Sequence, residues 1–353
     1  MLTVAGAVQA LHAARVRTCF PFHPRPRTRR GHLAASGYDT AMRRSRSFQA
    51  NAGRQSGSRR VLCTFLVLAI AVTACRLYAE PVSVRDDYGH SVQLAQFASR
   101  VVSLSPHLTE LVYAAGAGTR LVGALEYSDF PPEARKLPRV GSDSGIDLEA
   151  VLSLKPDLIV AWPNAGSRRS VDRLAALGIP TYRSEPRELE DIARTLERLG
   201  TLAGTQSSAG RAANRFRAER ARLEALYSAR SPVRVFYEVW DRPLQTVNGA
   251  HVISKVIRLC GGTNVFEELA LIAPEISAES VLQANPEMIV ASGLSAARPA
   301  SLDRWREFSR MTAVARGNLY AIPPDLIQRH TPRLLQGAAR MCALIDEVRQ
   351  ARR

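Results

Sequence analysis

From Arg100 onward, short apolar runs alternate with amphipathic segments along the chain. Apolar runs of about 4 to 8 residues are typical of buried strands, whereas apolar positions three and four residues apart are typical of helices. The predicted strands are 100–104, 121–125, 157–162, 179–182, 233–239, 288–291 and 319–322. The predicted helices are 106–115, 148–154, 171–177, 189–199, 251–259, 279–283 and one from 332 onward. Strands and helices that alternate in this way predict an α/β fold with parallel sheets.

A long charged segment interrupts this alternation between residues 207 and 229. Its apolar stripe is narrow and consists of Phe216, Leu223 and Leu226, so the pattern predicts one uninterrupted helix. About 23 helical residues span about 35 Å, which is enough to connect two lobes. The predicted organisation is a leader over 1–79, an N-terminal lobe over 97–203, a connecting helix over 204–230 and a C-terminal lobe over 231–350.

The second half of the chain also repeats part of the first. Residues 147–161 (DLEAVLSLKPDLIVA) align without a gap to residues 277–291 (SAESVLQANPEMIVA), with identities at seven positions. The aligned unit is a helix cap, a helix, a proline and a strand. Two related lobes joined by one helix predict a cleft between them, and such clefts are favoured ligand sites.

The composition and charge exclude several classes of protein. With 353 residues, of which 46% are hydrophobic and 23% charged, the chain is long enough for one large or two ordinary globular domains. The net charge of +16 suggests a nucleic-acid-binding protein only if it lies on the fold. Twelve arginines and a single acidic residue fall within residues 1–60, so most of the excess belongs to the leader. We therefore expect no nucleic-acid partner.

The leader has the pattern of an export signal. An arginine-rich stretch precedes residues 61–74 (VLCTFLVLAIAVTA), which are too few for a helix to span a bilayer but suit the apolar part of a secretory signal. Two routes of signal processing remain open: lipidation of Cys75 within a lipobox-like VTAC, or cleavage after Ala79. A membrane anchor is a third alternative. Each predicts a protein outside the cytoplasm, either soluble in the periplasm or tethered to the membrane.

Export leaves Cys260 and Cys342 as the cysteines of the mature chain. In an oxidising compartment they can pair, and closing a loop of this length would stabilise the fold by about 4 to 5 kcal/mol in the chain-entropy model. The alternative is two separately buried thiols. No spacing of cysteine or histidine predicts a metal site.

Enzymatic motifs are absent from the sequence. It contains no G-x-S-x-G, Walker, dinucleotide-binding or H-E-x-x-H pattern. Ser105 and His107 are interpreted as a helix-capping serine beside a surface histidine. The sequence thus favours a non-enzymatic function without a cofactor, with an exported α/β hydrolase as an alternative from another class.

Large aromatic residues follow predicted strands or stand in loops, where a cleft between lobes would be lined. Tyr127, Trp162 and Trp240 are placed to stack on a flat ligand, or alternatively to cover the edges of the sheets. Trp305 lies on an amphipathic stretch, and we expect it to pack in the core.

A dense polar loop precedes the last predicted helix. Its residues Gln328, Arg329 and His330 are candidates for contacts with the ligand. His330 is suited to donate a hydrogen bond to a ligand or to coordinate a metal that the ligand already holds. The alternative is a solvated loop histidine.

Glu149 and Glu279 occupy equivalent positions in the repeat. Each stands two residues after a helix cap, where the helix dipole favours a carboxylate. Their equivalence also suits docking onto a two-fold symmetric, basic partner.

In their order along the chain, several segments resemble the cobalamin-binding periplasmic proteins of bacterial vitamin uptake. These segments are RVVSLSPHLTELVYAAGAGTRLVG, the YSDFPP loop, DLEAVLSLKPDLIVAW, VFYEVWDRPLQTVNG, IRLCGGTNVF and HTPRLL. The resemblance covers about residues 97–348. It implies two Rossmann-like lobes bridged by one long helix, the helical-backbone metal-receptor type of substrate-binding protein.

The resemblance also implies a function. Such a protein captures cobalamin between its lobes as a transported ligand and delivers it, as a monomer, to an ABC permease dimer in the inner membrane. By position, Tyr127 and Trp162 match aromatic ligand contacts, and Trp240 lies in another ligand-lining segment. Glu149 and Glu279 match the pair that meets arginines of the permease, while Cys260 and Cys342 match a family disulfide.

Two positions depart from the family pattern. Asp143 and Ala273 stand where well-known relatives have tryptophans, so the contact with the corrin ring is thinner or rearranged. Trp240 or the loop from Gln328 to His330 is a candidate to replace the missing tryptophan contacts. Asp143 itself is also a candidate ligand contact. A haem or ferric-siderophore binding protein of the same fold class is the alternative.

Overall fold

The structure of the protein is a computed structural model that describes residues 81–142, 145–164, 166–292 and 300–352. The predicted leader, Cys75 and Asp143 lie outside the described residues. Within these ranges, none of the helices combines the length and apolar composition that a transmembrane span requires.

The N-terminal lobe is an α/β layer structure on a four-stranded parallel sheet. It is preceded by an antiparallel hairpin of β1 (Val82–Arg85) and β2 (Ser91–Leu94). Its elements are β3 (Val101–Leu104), α1 (Pro106–Ala114), β4 (Leu121–Ala124), β5 (Gly141–Ser142), β6 (Gly145–Ile146), α2 (Leu148–Ser153), β7 (Leu158–Ala161), α3 (Arg168–Ala176), β8 (Thr181–Arg183) and α4 (Leu189–Ala203). The sheet order is β4-β3-β7-β8.

A single helix, α5 (Gln206–Tyr227), leads to the C-terminal lobe. That lobe contains β9 (Val233–Glu238), a hairpin of β10 (Trp240–Asp241) and β11 (Leu244–Gln245), α6 (Val252–Leu259), β12 (Gly262–Asn264), α7 (Ala278–Ala284), β13 (Met288–Ala291), α8 (Ser301–Arg304), α9 (Thr312–Ala315), β14 (Leu319–Ala321), α10 (Pro324–Ile327) and α11 (Leu334–Gln350). Its parallel sheet has the order β12-β9-β13-β14. The predicted fold class, two α/β lobes with one long connecting helix, is confirmed.

The two sheets have the same topology, which extends the repeat found in the sequence. In each lobe the first strand of the sheet lies between the second and the third, and the fourth pairs with the third. The repeated unit folds as α2–β7 in one lobe and as α7–β13 in the other. Asp147 accepts a hydrogen bond from the Ala150 amide, and Ser277 accepts one from the Ser280 amide, so each copy begins with a side-chain cap.

The connecting helix is packed more closely than its polar sequence suggests. With 22 residues it is about 33 Å long, and it contacts α1, α4 and α11. Small residues such as Ala209 and Ala213 are buried together with Phe216 and Leu223, whereas Leu226 is exposed. The predicted stripe is therefore wrong at Leu226, because the close approach of neighbouring helices is made through alanines instead.

Helix α4 continues past Leu199, where the sequence predicted its end. It ends at Gly204, which has a positive φ of 68°. Gly200 lies inside the helix. A larger residue does not fit there, because a Cβ would collide with the Ala209 side chain on α5. This glycine permits two helices to approach closely and does not stop the helix.

Successive residues of a strand pack into different hydrophobic layers, one on each face of the sheet. Val101, Val160 and Val235 belong to a core that extends through α5 into both lobes, while Ile159 and Ile289 face two separate outer layers. Trp305 is fully buried in the outer layer of the C-terminal lobe, as predicted. The continuous inner core supports the lobes from the side of the connecting helix.

The disulfide between Cys260 and Cys342 is confirmed. It joins the end of α6 to α11, with the two Cα atoms 4.5 Å apart and both residues buried. Because 82 residues separate the cysteines, the bond closes most of the C-terminal lobe into one loop.

Candidate functional site

The carboxyl ends of the N-terminal strands carry the first group of site residues. Tyr127 follows β4, Trp162 follows β7, and His107 lies in the first turn of the helix after β3. Parallel strands present their carboxyl ends at one edge of the sheet, so these three side chains share that edge. Tyr127 is 72% exposed and has a φ of 60°, in the left-handed region that only a tightly specified loop imposes on a tyrosine. Trp162 is 40% exposed, and its ring meets His107 edge-on at 5.7 Å.

On the C-terminal lobe, Trp240 stands at the start of the β10–β11 hairpin. Its ring is 39% exposed, and Nε1 donates a hydrogen bond to the Arg242 carbonyl at 2.9 Å, which fixes the orientation of the indole. Residues 272–274 run beside this hairpin, since the Thr246 and Asn248 amides donate to carbonyls of that segment. Leu271 and Ile272 are exposed there, adjacent to Ala273. The hairpin therefore adjoins an exposed apolar surface that the sequence analysis did not single out.

Residues 328–333, which we call the strap, reach from the C-terminal lobe to the N-terminal lobe. The Arg329 guanidinium lies 2.7 Å from Asp129 and 3.0 Å from Asp325, and it donates to the Tyr127 carbonyl at 3.2 Å. Burial raises the pKa of Asp129 and the Arg329 guanidinium lowers it, with a net shift downward. The Asp129 and Asp325 side chains are 43% and 49% exposed, so these ion pairs are solvated and individually weak.

A second arginine of the strap makes a different kind of contact. Arg333 donates two hydrogen bonds of 2.8 Å to the two oxygens of Glu110, a carboxylate that is only 2% exposed. Its guanidinium also lies 3.8 Å over the ring of Phe130. A buried, bidentate pair of this kind joins the lobes with defined geometry.

Three histidines from three elements meet beside these ion pairs. The His330 ring lies 6.1 Å from that of His107 and 5.7 Å from that of His251, the residue that caps α6. Burial lowers the pKa of His107 and of His251 to about 4, and for His107 the Arg329 charge adds to the effect. The pKa of His330 is also lowered, by burial and then by the other two histidines. All three are neutral at pH 7.

The expectation about His107 and the alternative considered for His330 are both wrong. His107 is buried, not on the surface, and its Nδ1 lies 2.6 Å from the Ser105 Oγ. His330 is packed between two rings instead of being a solvated loop residue. Sequence reasoning missed both because the partners that bury them lie on other elements.

Ser105 and His107 do not form a hydrolytic triad. The Ser105 Oγ is used by the histidine and does not cap α1. Within the described residues, the Nε2 of His107 has no hydrogen-bond partner, so no carboxylate orients the ring as a general base.

The remaining predicted site residues have separate positions. Gln328 donates through Nε2 to the Ser292 Oγ at 2.6 Å and stays on the C-terminal side. Within the described part of the chain, Trp240 makes no hydrogen bond or ring contact to Tyr127, Trp162 or the strap. The structure thus joins Tyr127, Trp162, Arg329 and His330 through direct contacts or through His107, and leaves Trp240 and Gln328 apart.

Glu149 and Glu279 are exposed at the starts of α2 and α7. The backbone at the start of α7 and the Ser277 hydroxyl lower the pKa of Glu279. No ion pair involves either glutamate among the residues that the structure describes. Both carboxylates are therefore accessible at corresponding positions of the repeat.

The described residues contain no group of three His, Cys, Asp or Glu side chains placed to hold a metal ion. A groove of about 580 Å³ lies between α5 and α11, with Phe216 and Leu335 in its lining, but it includes none of the predicted ligand residues. The combination of exposed aromatic rings, arginines and neutral imidazoles is suited to holding an organic ligand without transforming it.

Comparison with known proteins identifies the family. The sequence profile described as periplasmic binding protein matches residues 101–326. The chain belongs to this family. Its membership confirms the prediction of a binding protein and not an enzyme, and it indicates a periplasmic location.

Individual relatives cover most of the described chain. The vitamin B12-binding protein of Vibrio parahaemolyticus serotype O3:K6 is 36% identical over 253 residues, which are 72% of this chain and 91% of that protein. The vitamin B12-binding protein of Yersinia pseudotuberculosis serotype O:1b is 39% identical over 248 residues, 70% of this chain and 86% of that protein.

Solved structures agree on the fold. The periplasmic vitamin B12 binding protein BtuF of Vibrio cholerae superimposes with a TM-score of 0.66 at 35% identity, covering 71% of this chain and 98% of that one. The periplasmic heme-binding protein RhuT of Roseiflexus sp. RS-1 gives a TM-score of 0.63 at 21% identity, with coverages of 71% and 99%. At that identity the second likeness concerns the fold alone.

Proposed function

We propose that this protein captures a corrinoid of the vitamin B12 type between its two lobes and delivers it to an ABC importer of the inner membrane. The observation that carries the proposal is the similarity, at 36% to 39% identity over most of the folded chain, to proteins named for binding vitamin B12. We assign the lobes to residues 97–203 and 231–350, as the sequence predicts.

The exposed rings support the proposal. Tyr127 and Trp162 stand on the N-terminal lobe and Trp240 on the C-terminal lobe, and each ring retains more than a third of its surface for a ligand. A corrin is a flat macrocycle that offers two faces to such rings. In this mechanism Tyr127 and Trp162 contact one part of the macrocycle, while Trp240 and the apolar surface near Ile272 contact another.

The polar residues of the strap supply the second part of the mechanism. The amide side chains at the edge of a corrinoid need donors and acceptors. Arg329 offers its guanidinium at the junction of the lobes and Gln328 its amide from the C-terminal side, and we assign Asp143 to the same role. Because the partners of Arg329 are solvated, its ion pairs are replaceable by ligand contacts at small cost.

A titration with three ligands tests the function. We expect cyanocobalamin to bind with micromolar or tighter affinity, measured by calorimetry, and haemin and a ferric siderophore to bind at least tenfold more weakly. Binding of haemin or of the siderophore in preference to cyanocobalamin would transfer the proposal to that ligand class. Absence of cyanocobalamin binding at micromolar concentration contradicts it.

The same proposal includes docking and location. We propose that Glu149 and Glu279 meet arginines of the permease dimer and that the receptor acts as a monomer. We also propose export by residues 61–74, either with a lipid on Cys75 or with cleavage after Ala79. The mass of the mature N-terminal peptide distinguishes these two forms.

A further inference from the structure

The cluster of His107, His251 and His330 has two ring nitrogens that the fold leaves unsatisfied. Nε2 of His107 and Nε2 of His330 are buried, and neither has a hydrogen-bond partner in the described structure. Buried polar atoms are nearly always paired, so each unpaired one calls for an explanation, of which a functional role is one. The cluster lies where the strap crosses between the lobes, beside Arg329 and beneath the exposed ring of Trp162.

The three imidazoles do not form a metal site by themselves. No three potential metal ligands converge among the described residues, so the protein offers no cage for a free ion. A metal that is already held by four nitrogens of a macrocycle requires fewer ligands from the protein, because one further donor is enough. Imidazole nitrogen is a suitable ligand for late first-row metals, and a neutral histidine carries the required lone pair.

The hydrogen bonds separate the three histidines by role. His251 accepts a hydrogen bond from the Ile253 amide through Nδ1, so its proton is on Nε2 and no lone pair is free. His107 is held through Nδ1 by Ser105 at the start of α1. His330 makes no hydrogen bond through either nitrogen to any described residue, and it lies on the strap outside the helices. Of the three imidazoles, that of His330 is therefore the one whose nitrogens make no hydrogen bond to the described residues.

We propose that His330 provides an axial nitrogen ligand to the cobalt of a corrinoid bound between the lobes. This inference rests on the proposed function and adds a chemical class to it, namely corrinoids whose cobalt carries an exchangeable water. In the step, a cobalt–nitrogen bond forms and the cobalt–oxygen bond of the coordinated water breaks. The water leaves with its protons, and the oxidation state of cobalt does not change.

The strap explains how the ligand reaches the imidazole. His330 is preceded by Arg329, whose ion-pair partners on both lobes are solvated, and is followed by Arg333, whose pair with Glu110 is buried. Exchange of the Arg329 contacts for ligand contacts would release the part of the strap next to His330, while the Arg333 pair keeps the base of the strap in place.

The test compares two ligands that differ at the axial position. Purified protein is titrated with aquocobalamin, whose upper water exchanges, and with cyanocobalamin, whose cyanide does not. We expect the visible absorption bands of aquocobalamin to move on binding to the positions of an imidazole adduct, and those of cyanocobalamin to stay unchanged. In His330→Ala, aquocobalamin should lose the band shift, and its affinity should fall at least tenfold more than that of cyanocobalamin.

Matched variants complete the design. His251→Asn keeps a good helix cap but removes an imidazole of the cluster, and His90→Ala removes an exposed histidine far from it in sequence; both should retain the band shift. A band shift that survives in His330→Ala, or that is lost in His107→Ala alone, overturns the assignment to His330. An unchanged aquocobalamin spectrum with intact cyanocobalamin binding overturns the axial ligand but not the proposed function. Failure to bind cyanocobalamin overturns the proposed function itself.

Discussion

At the scale of single residues, the candidate site consists of exposed rings supported by buried partners. Trp162 presents part of its indole to solvent while His107 packs against the edge of the ring. Such a ring is oriented before a ligand arrives, so less conformational entropy is lost on binding. A ring that only covered the edge of the sheet would contribute to folding and not to ligand affinity.

Replacing Trp162 by alanine should therefore weaken ligand binding. Loss of one stacking ring should cost about 1 to 3 kcal/mol, which is about 5- to 150-fold in Kd. Calorimetric titration with cyanocobalamin provides the measurement. Leu226→Ala, at an exposed position on the connecting helix, is the control and should bind normally. An unchanged Kd in Trp162→Ala would favour the alternative, in which this ring only covers the edge of the sheet.

The depressed histidine pKa values predict how stability depends on pH. The pKa of His107 and of His251 is about 4 in the folded protein, against an ordinary value of 6.5, because burial disfavours the charged ring. The unfolded chain therefore binds more protons between these values. The contribution of the two neutral histidines to the free energy of unfolding should be fully present above pH 6.5. It should decrease as the pH falls toward 4, by up to about 1.4 kcal/mol per pH unit for each histidine.

Urea unfolding at pH 7.0, 6.0 and 5.0 measures this slope. The double variant His107→Gln, His251→Asn should have a flatter profile than the unmodified protein. This range lies above the pKa of ordinary carboxylates, so histidines dominate the titration. Equal slopes in the double variant and the unmodified protein would contradict the assignment.

At the scale of secondary-structure elements, the repeat is the main organising feature. The helix–strand units α2–β7 and α7–β13 start with side-chain caps and place a glutamate in the first turn. In each case the helix dipole favours the carboxylate, which accounts for the residue type. It does not account for the presence of an exposed, unpaired glutamate at the same position of both lobes.

Reversing both charges, with Glu149→Arg and Glu279→Arg, tests the docking role. Transport into vesicles that contain the importer should be lost, because two arginines would then face the basic permease surface. Affinity for cyanocobalamin should stay within twofold, since neither residue contacts the strap or the exposed rings. Glu224→Arg, a change on the connecting helix, is the control and should support normal transport. Weakened ligand binding in the double variant would place the glutamates at the ligand instead.

At the scale of the whole molecule, the lobes are connected by several features, among them an ion pair between Lys255 on α6 and Glu188 at the start of α4. The connecting helix joins them covalently, the inner hydrophobic core runs past it into both lobes, and the strap bridges them by ion pairs. The pair of Arg333 with Glu110 is the buried member of these contacts. Removing one partner of such a pair leaves an uncompensated charge in a dry environment.

Arg333→Met should therefore destabilise the protein by about 3 to 5 kcal/mol in urea unfolding. Arg222→Met is the matched control, because Arg222 pairs with Glu219 on the exposed face of α5 and its loss should leave stability nearly unchanged. Adding Glu110→Gln to Arg333→Met should recover part of the loss by removing the unpaired charge. Equal effects of the two arginine variants would show that the strap pair has no special role.

Much of the architecture was predictable because it depends on local patterns. The strands of both parallel sheets except β12, the caps at Asp147 and Ser277 and the single connecting helix follow from apolar periodicity and from capping residues. The sequence did not predict β12, because its residues Gly262–Asn264 form no apolar run. The aromatic candidates were predictable too, since large rings after strands fall at the edge of a parallel sheet. The errors at Leu226 and at the end of α4 arose where contact between helices overrides the pattern of one helix. The surface position expected for His107 was wrong because residues of other elements bury its side chain.

The sequence by itself determined the alternation of strands and helices, the duplicated lobes and the family to which the chain belongs. These properties are encoded within segments of a few tens of residues. Only the tertiary structure decided that His107, His251 and His330 share one cluster and that Arg333 pairs with Glu110. The partners of that ion pair are 223 residues apart, and no local pattern couples residues at that distance. They meet because two sheets and one helix bring the ends of remote loops to the same place.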